Sequence, residues 1–196
     1  MLILSQVLFL LAALGVALAT KAKANREDDH NSEYFVITLS ALAAALAVLG
    51  QVTLDAEGSD SGTLLRILNN LAIYAGAPML VTAIGAIAKN YPISRPAWGR
   101  WLLGLFALFE LCRRMGYGES YTLVLGLCCL AGLLTSLIWF RVRAVVAPMV
   151  GGLAFLAAGF GAHYLATAAI SLLLGAAGLA LLARSLKNVP LQPRPE

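Results

Sequence analysis

Seven apolar runs follow one another with only short polar breaks: Leu2–Thr20, Tyr34–Leu54, Leu64–Ala88, Trp98–Met115, Tyr121–Phe140, Ala144–Phe160 and Tyr164–Ala183. A helix needs about 20 mostly apolar residues, each rising 1.5 Å, to cross the hydrocarbon of a bilayer. Each run is close to that length, and together they use nearly all of the 196 residues. Turn chemistry separates them, at Gly58, Gly62, Pro92, Pro96, Gly116, Gly118 and Gly161. The expected fold is an all-α integral membrane protein, a bundle of seven transmembrane helices. Residues 1–188 form its single domain, and 189–196, VPLQPRPE with Asn188 before it, form an irregular Pro-rich cytoplasmic tail.

Composition supports the same class. Hydrophobic residues make up 60% of the chain and charged ones 12%, where soluble domains hold roughly 45–50% and about 25%. No stretch is left over for a soluble domain beside the runs. The formal charge of +4 is no nucleic-acid signal, because the basic residues lie at the ends of runs rather than on one face.

Those flanking charges set the orientation. Lys21, Lys23 and Arg26 follow the first run, Lys89, Arg95 and Arg100 the third, Arg141 and Arg143 the fifth, and Arg184, Lys187 and Arg194 the seventh. The alternate loops hold Asp55, Glu57, Asp60, Glu119 and His163. The N-terminus is therefore expected outside and the C-terminus in the cytoplasm, as in a multi-pass protein of the plasma membrane, or of the inner membrane in a bacterium. Trp98, Trp101 and Trp139 fall at the inner boundary, where indole rings favour the headgroup layer.

Close packing of small residues matters more than the hydrophobic effect between helices in lipid. Ala72 and Gly76, and the block GAAG at 175–178, are placed for such contacts. Pro78 should kink the third helix, because proline removes one N–H and crowds the carbonyl a turn earlier. Asp60 with Ser61 or Thr63 is placed to cap that helix. The loops DAEGSD and NREDDHNSE lack calcium-loop spacing and read as solvated.

The stretch FELCRRMGYGE, Phe109 to Glu119, places Glu110, Arg113 and Arg114 inside the fourth run. If that run ends at the outer surface near Gly116, Glu110 lies about 9 Å below it and the arginines about 3–5 Å below. A charge at a helix centre costs about 2.5–3.5 kcal/mol. Pairing at i+3 and i+4 on one helical face removes much of that penalty. The third helix runs the opposite way and carries Arg66, Asn69, Asn70 and Tyr74 at a matching depth, with Arg66, Asn70 and Tyr74 on one face at i, i+4 and i+8. His163 falls near the same level.

Ionisable residues inside a membrane are functional candidates. Arg66, Asn69, Asn70, Tyr74, Glu110, Arg113, Arg114 and His163 form the candidate ligand-binding set. Three arginines against one glutamate suit a carboxylate, a phosphate or a lipid headgroup. The first functional reading is thus a small polytopic protein that binds or transports a small anionic solute or lipid headgroup through a polar pocket open to the outside. The second is a structural or accessory subunit of a larger membrane complex. The weakest is an intramembrane enzyme acting on lipid, because such an enzyme needs a nucleophile with a base, or a metal triad. No catalytic residue, metal or cofactor is assigned. The expected partners are membrane lipids, an anionic small molecule, and a membrane-protein partner or second copy of the chain, without nucleic acid. The seventh run has no lysine for a retinal Schiff base, although seven spans with an outer N-terminus are shared with rhodopsins.

Overall fold

The structure is a computed structural model that describes residues 2–24, 31–55, 57–139 and 168–188. Within these residues the chain is helical, with no strand. Its helices are α1 (Leu2–Ala24), α2 (Asn31–Thr53), α3 (Ser59–Lys89), α4 (Arg95–Arg114), α5 (Gly118–Trp139) and α6 (Ala168–Asn188). Four of them, α1, α2, α3 and α5, are long and apolar enough to cross a membrane. The apolar part of α6, Leu172–Arg184, is shorter. In α4, Arg95 and Arg100 at one end and Glu110, Arg113 and Arg114 at the other confine the uncharged stretch to Trp101–Phe109. The expected sixth run, Ala144–Phe160, the start of the seventh, His163 and the Pro-rich tail lie outside the described residues.

α1 packs between α2 and α6, α2 continues onto α3, and α3 packs on α5. α4 stands at the edge, against α3 and α5. The core is built largely from small and β-branched side chains: Ala13, Val16 and Ala17 of α1 face Ile37, Ala41 and Ala45 of α2. Where α1 meets α2, the hydroxyls of Thr20 and Thr38 lie 2.9 Å apart. Each is also within bonding distance of its own helix's carbonyls, which keeps them satisfied away from water. The GAAG block works as expected: a Cβ on Gly175 would come within 2.9 Å of the Phe9 ring, so this glycine lets α6 close on α1.

The expected break at Pro78 takes a specific form. The turn before it, Leu71–Gly76, is a π-helix, and Pro78 lies in the first turn of the α-helical stretch Ala77–Lys89 that follows. A wider turn relieves the crowding that the pyrrolidine ring would impose on the preceding turn. Gly76 then approaches α2, where a Cβ would meet the Ser40 carbonyl oxygen at 3.6 Å.

Two local expectations are corrected. α3 begins at Ser59 with Gly58 as its N-cap and no side-chain cap, so Asp60, Ser61 and Thr63 fall inside the helix. Ser61 Oγ donates instead to the Asp55 carbonyl at 2.6 Å, and Thr63 Oγ1 to the Ser59 carbonyl at 2.8 Å. The second correction concerns NREDDHNSE. Its last residues open α2, and Glu33 is completely buried rather than solvated. Its carboxylate accepts the backbone N–H of Ile93 in the turn between α3 and α4, and Ser32 Oγ donates to the Ile93 carbonyl at 2.7 Å. A carboxylate in the first turn also lies favourably in the field of its own helix.

That turn is entered through Asn90, whose φ of 56° is left-handed, with Tyr91 N–H reaching back to the Ala86 carbonyl at 2.9 Å. This is the hydrogen-bond pattern of a Schellman C-cap. Gly116, at φ 78°, ends α4 in the same way, with Tyr117 N–H on the Cys112 carbonyl at 2.9 Å. The two turns reverse the chain twice and set α4 beside α3 and α5.

Candidate functional site

At the end of the bundle where α4 meets α5, three aromatic rings join three helices. Tyr74, in the π turn of α3, stacks on Phe109 of α4 with ring centroids 4.0 Å apart and an interplanar angle of 23°. Tyr121 of α5 completes the group, 5.7 Å from Tyr74 and 6.3 Å from Phe109. Tyr74 Oη also lies 2.8 Å from Thr122 Oγ1, whose hydroxyl in turn reaches the Gly118 carbonyl at 2.9 Å. The stack fixes the relative height of α3 and α4. Asn70 precedes Tyr74 by one turn, and Arg113 follows Phe109 by one turn. Arg113 therefore lies about 6 Å beyond Phe109, at 1.5 Å per residue, and Asn70 lies beyond Tyr74 toward the same end of the bundle.

Glu110 follows directly after Phe109. Its Oε2 accepts from Arg113 Nε at 2.8 Å, and its Oε1 accepts from Arg113 Nη2 and Arg114 Nε, each at 2.8 Å. Arg113 thus grips the carboxylate with two donors while Arg114 adds a third, the charge-assisted fork geometry that arginine favours. The three charges in one apolar run are held by each other. They are not enclosed: side-chain exposure is 59% for Arg113, 76% for Arg114 and 39% for Glu110. Among the described residues, ion pairs of these arginines are made with Glu110 alone, and the terminal nitrogens of Arg114 face no described acceptor.

The set expected from the sequence divides. Glu110, Arg113 and Arg114 come together, and Tyr74 reaches the same helix through Phe109. Asn69 turns toward α2, where its Oδ1 accepts from Gln51 Nε2 at 2.9 Å. Arg66 is exposed and donates to Thr63 Oγ1 of its own helix at 3.2 Å. Asn70 is half-buried. Neither of two cavities in the bundle, of about 610 and 330 Å³, is lined by Arg66, Asn69, Asn70 or the Glu110 group. The Glu110 group lies exposed beside the aromatic layer. Sequence reasoning missed Phe109 and Thr122, which orient Tyr74; both follow from helix faces only once α3, α4 and α5 are placed side by side.

Among the described residues, no three histidine, cysteine or acidic side chains gather as a metal site would require. Cys112, Cys128 and Cys129 are free thiols, Cys128 exposed and the other two half-buried. Among the described residues the buried Tyr121 Oη and Trp98 Nε1 have no hydrogen-bond partner, and nothing in the structure accounts for either. No protein family, curated protein or solved structure matches the chain.

Proposed function

We propose that the chain is a seven-span membrane protein, N-terminus outside and C-terminus cytoplasmic, in the plasma membrane or a bacterial inner membrane. In this reading it binds the anionic headgroup of a lipid, or a small anionic solute, at the arginine-bearing end of α3 and α4, and holds or transports it. The observation that supports the reading is the Tyr74–Phe109 stack, which ties α3 to the helix that bears Glu110, Arg113 and Arg114. Glu110 neutralises one guanidinium's worth of charge and fixes two arginine stems, which leaves donors of Arg114 and Arg66 for an anion. An open surface suits a headgroup or solute arriving along the membrane boundary better than it suits a reaction that must exclude water.

The test uses the protein in nanodiscs of phosphatidylcholine, titrated with phosphatidylglycerol or with inorganic phosphate. Arg66→Ala combined with Arg114→Ala should weaken retention of one of these anions while leaving helix content unchanged; which anion is lost distinguishes lipid from solute. Equal retention by the variant and the parent protein overturns the reading.

A second reading, an accessory subunit, is favoured by α4, where Gly99 and Gly104 meet no neighbour among the described residues. Uncovered small residues on a membrane helix are what a partner helix packs against. Copurification of a stoichiometric membrane partner, lost when Gly104 is changed to leucine, would select it.

A further inference from the structure

The larger cavity, about 610 Å³, is a groove that runs along three helices and lies apart from the arginine-bearing surface. On α3 its wall is Pro78, Thr82, Gly85 and Lys89, and on α5 it is Tyr121, Leu125, Gly132 and Trp139, each set on one face at helical spacing. Trp101, Leu105 and Leu108 of α4 form the third side. Pro78 to Lys89 at 1.5 Å per residue is about 16 Å. That matches the acyl layer of one leaflet, half of a hydrocarbon core about 30 Å thick.

The polar atoms of the wall are largely silenced by the helices that carry them. Thr82 donates to the Pro78 carbonyl at 2.8 Å, and Thr135 and Ser136 donate to the Gly132 carbonyl at 2.9 and 2.7 Å. What faces the groove is therefore mostly hydrocarbon, with the Tyr121 side chain and the thiols of Cys128 and Cys129 among it. At the end where α3 and α5 finish, the chemistry changes. Lys89 Nζ lies 5.4 Å above the Trp139 ring, and Tyr91 and Trp101 stand on the same rim. Ring faces of this kind attract an ammonium, and such aromatics mark the headgroup layer. Arg95 opens α4 just beyond that turn and Arg100 follows in its second turn, and the sequence has no acidic residue between Asp60 and Glu110. Glu33, held against the same turn, is buried and engaged by the Ile93 N–H.

We infer that this groove is a binding site for an anionic phospholipid, with one acyl chain lying between α3, α4 and α5 and the phosphate at Lys89. The site shares only the membrane setting with the proposed function: it uses the opposite end of the bundle and none of its arginines.

The test reads quenching of tryptophan fluorescence, since Trp101 and Trp139 line the groove. Protein is reconstituted with phosphatidylglycerol or phosphatidylcholine carrying bromine on the acyl chains. The parent protein should favour the brominated phosphatidylglycerol about five-fold, the effect of one lysine at a headgroup surface. Lys89→Gln should abolish the preference, Lys89→Arg should keep it, and Arg66→Ala should leave it intact even if the arginine-surface reading fails. Cys128→Phe, which places a ring in the groove, should lower quenching by both lipids. Raising the salt on the parent protein should reduce the preference with no substitution at all. Equal quenching by the two lipids, a preference that survives Lys89→Gln, or a Cys128–Cys128 cross-link showing a second copy in the groove would each overturn the inference.

Discussion

Glu33 and Ile93 are separated by an entire helical hairpin in sequence and joined by a hydrogen bond in space, the buried carboxylate of α2 accepting the backbone N–H of the α3–α4 turn. Hydrogen bonds to charged groups contribute about 1.5–3 kcal/mol. Glu33→Ala should lower stability by about that much, and Glu33→Gln, which keeps an acceptor oxygen, by less. Unfolding in mixed micelles of increasing denaturing detergent measures both.

The aromatic layer gives a second expectation. Tyr74→Phe removes only the contact with Thr122 and should cost about 0.5–1.5 kcal/mol. Tyr74→Ala also removes the stack on Phe109, and such a pair adds about 0.5–1.5 kcal/mol beyond buried area. A double-mutant cycle with Phe109→Leu isolates the ring–ring part.

Close approach of α3 and α5 rests on a glycine. A Cβ on Gly132 would lie 2.7 Å from Val81 Cγ1. Gly132→Ala should therefore destabilise by about 1–3 kcal/mol, the usual range for overpacking. Val81→Ala should restore most of the loss when the two are combined, as thermal melts in detergent would record.

Glu110→Gln has a different expected outcome. Its arginine partners are exposed, and exposed ion pairs contribute little to stability. The melting temperature should barely move, while the two released guanidiniums should raise anion retention, and added salt should screen that gain. A marked loss of stability would show that the trio holds the bundle together.

The proposed orientation predicts an alternating pattern of reagent access. In a background without native cysteines, Ser59→Cys and Ser120→Cys should react with an impermeant maleimide from outside the cell, and Ser94→Cys only after permeabilisation.

Much of the helical layout was legible from run length alone, because a bilayer enforces one. Leu2–Ala24, Asn31–Thr53 and Gly118–Trp139 each contain most of an apolar run, with ends shifted by a turn or less. The pairing of Glu110 with Arg113 and Arg114 was legible too, since i+3 and i+4 spacing determines it within one helix. What the sequence concealed depends on contacts between helices. Glu33 sits in a strongly polar stretch, and only the arrival of Ile93 from the next hairpin turns it into a buried acceptor. Pro78 announced a break, but a kink and a π turn relieve the same crowding, and the proline alone does not choose between them. The expected Arg66–Asn70–Tyr74 face was drawn with uniform α-helical pitch, which the widened turn interrupts at Leu71.

The Leu71–Gly76 turn also sets the rotation between the two halves of α3. A π turn accommodates one more residue than the α-helix it replaces. Tightening it to regular α-helical pitch with the same residues would swing Ser59–Asn70 by about 100° relative to Ala77–Lys89. The segment works as a fixed angular offset between the two halves of one rod, so that the guanidinium of Arg66 and the ammonium of Lys89 keep their separate bearings.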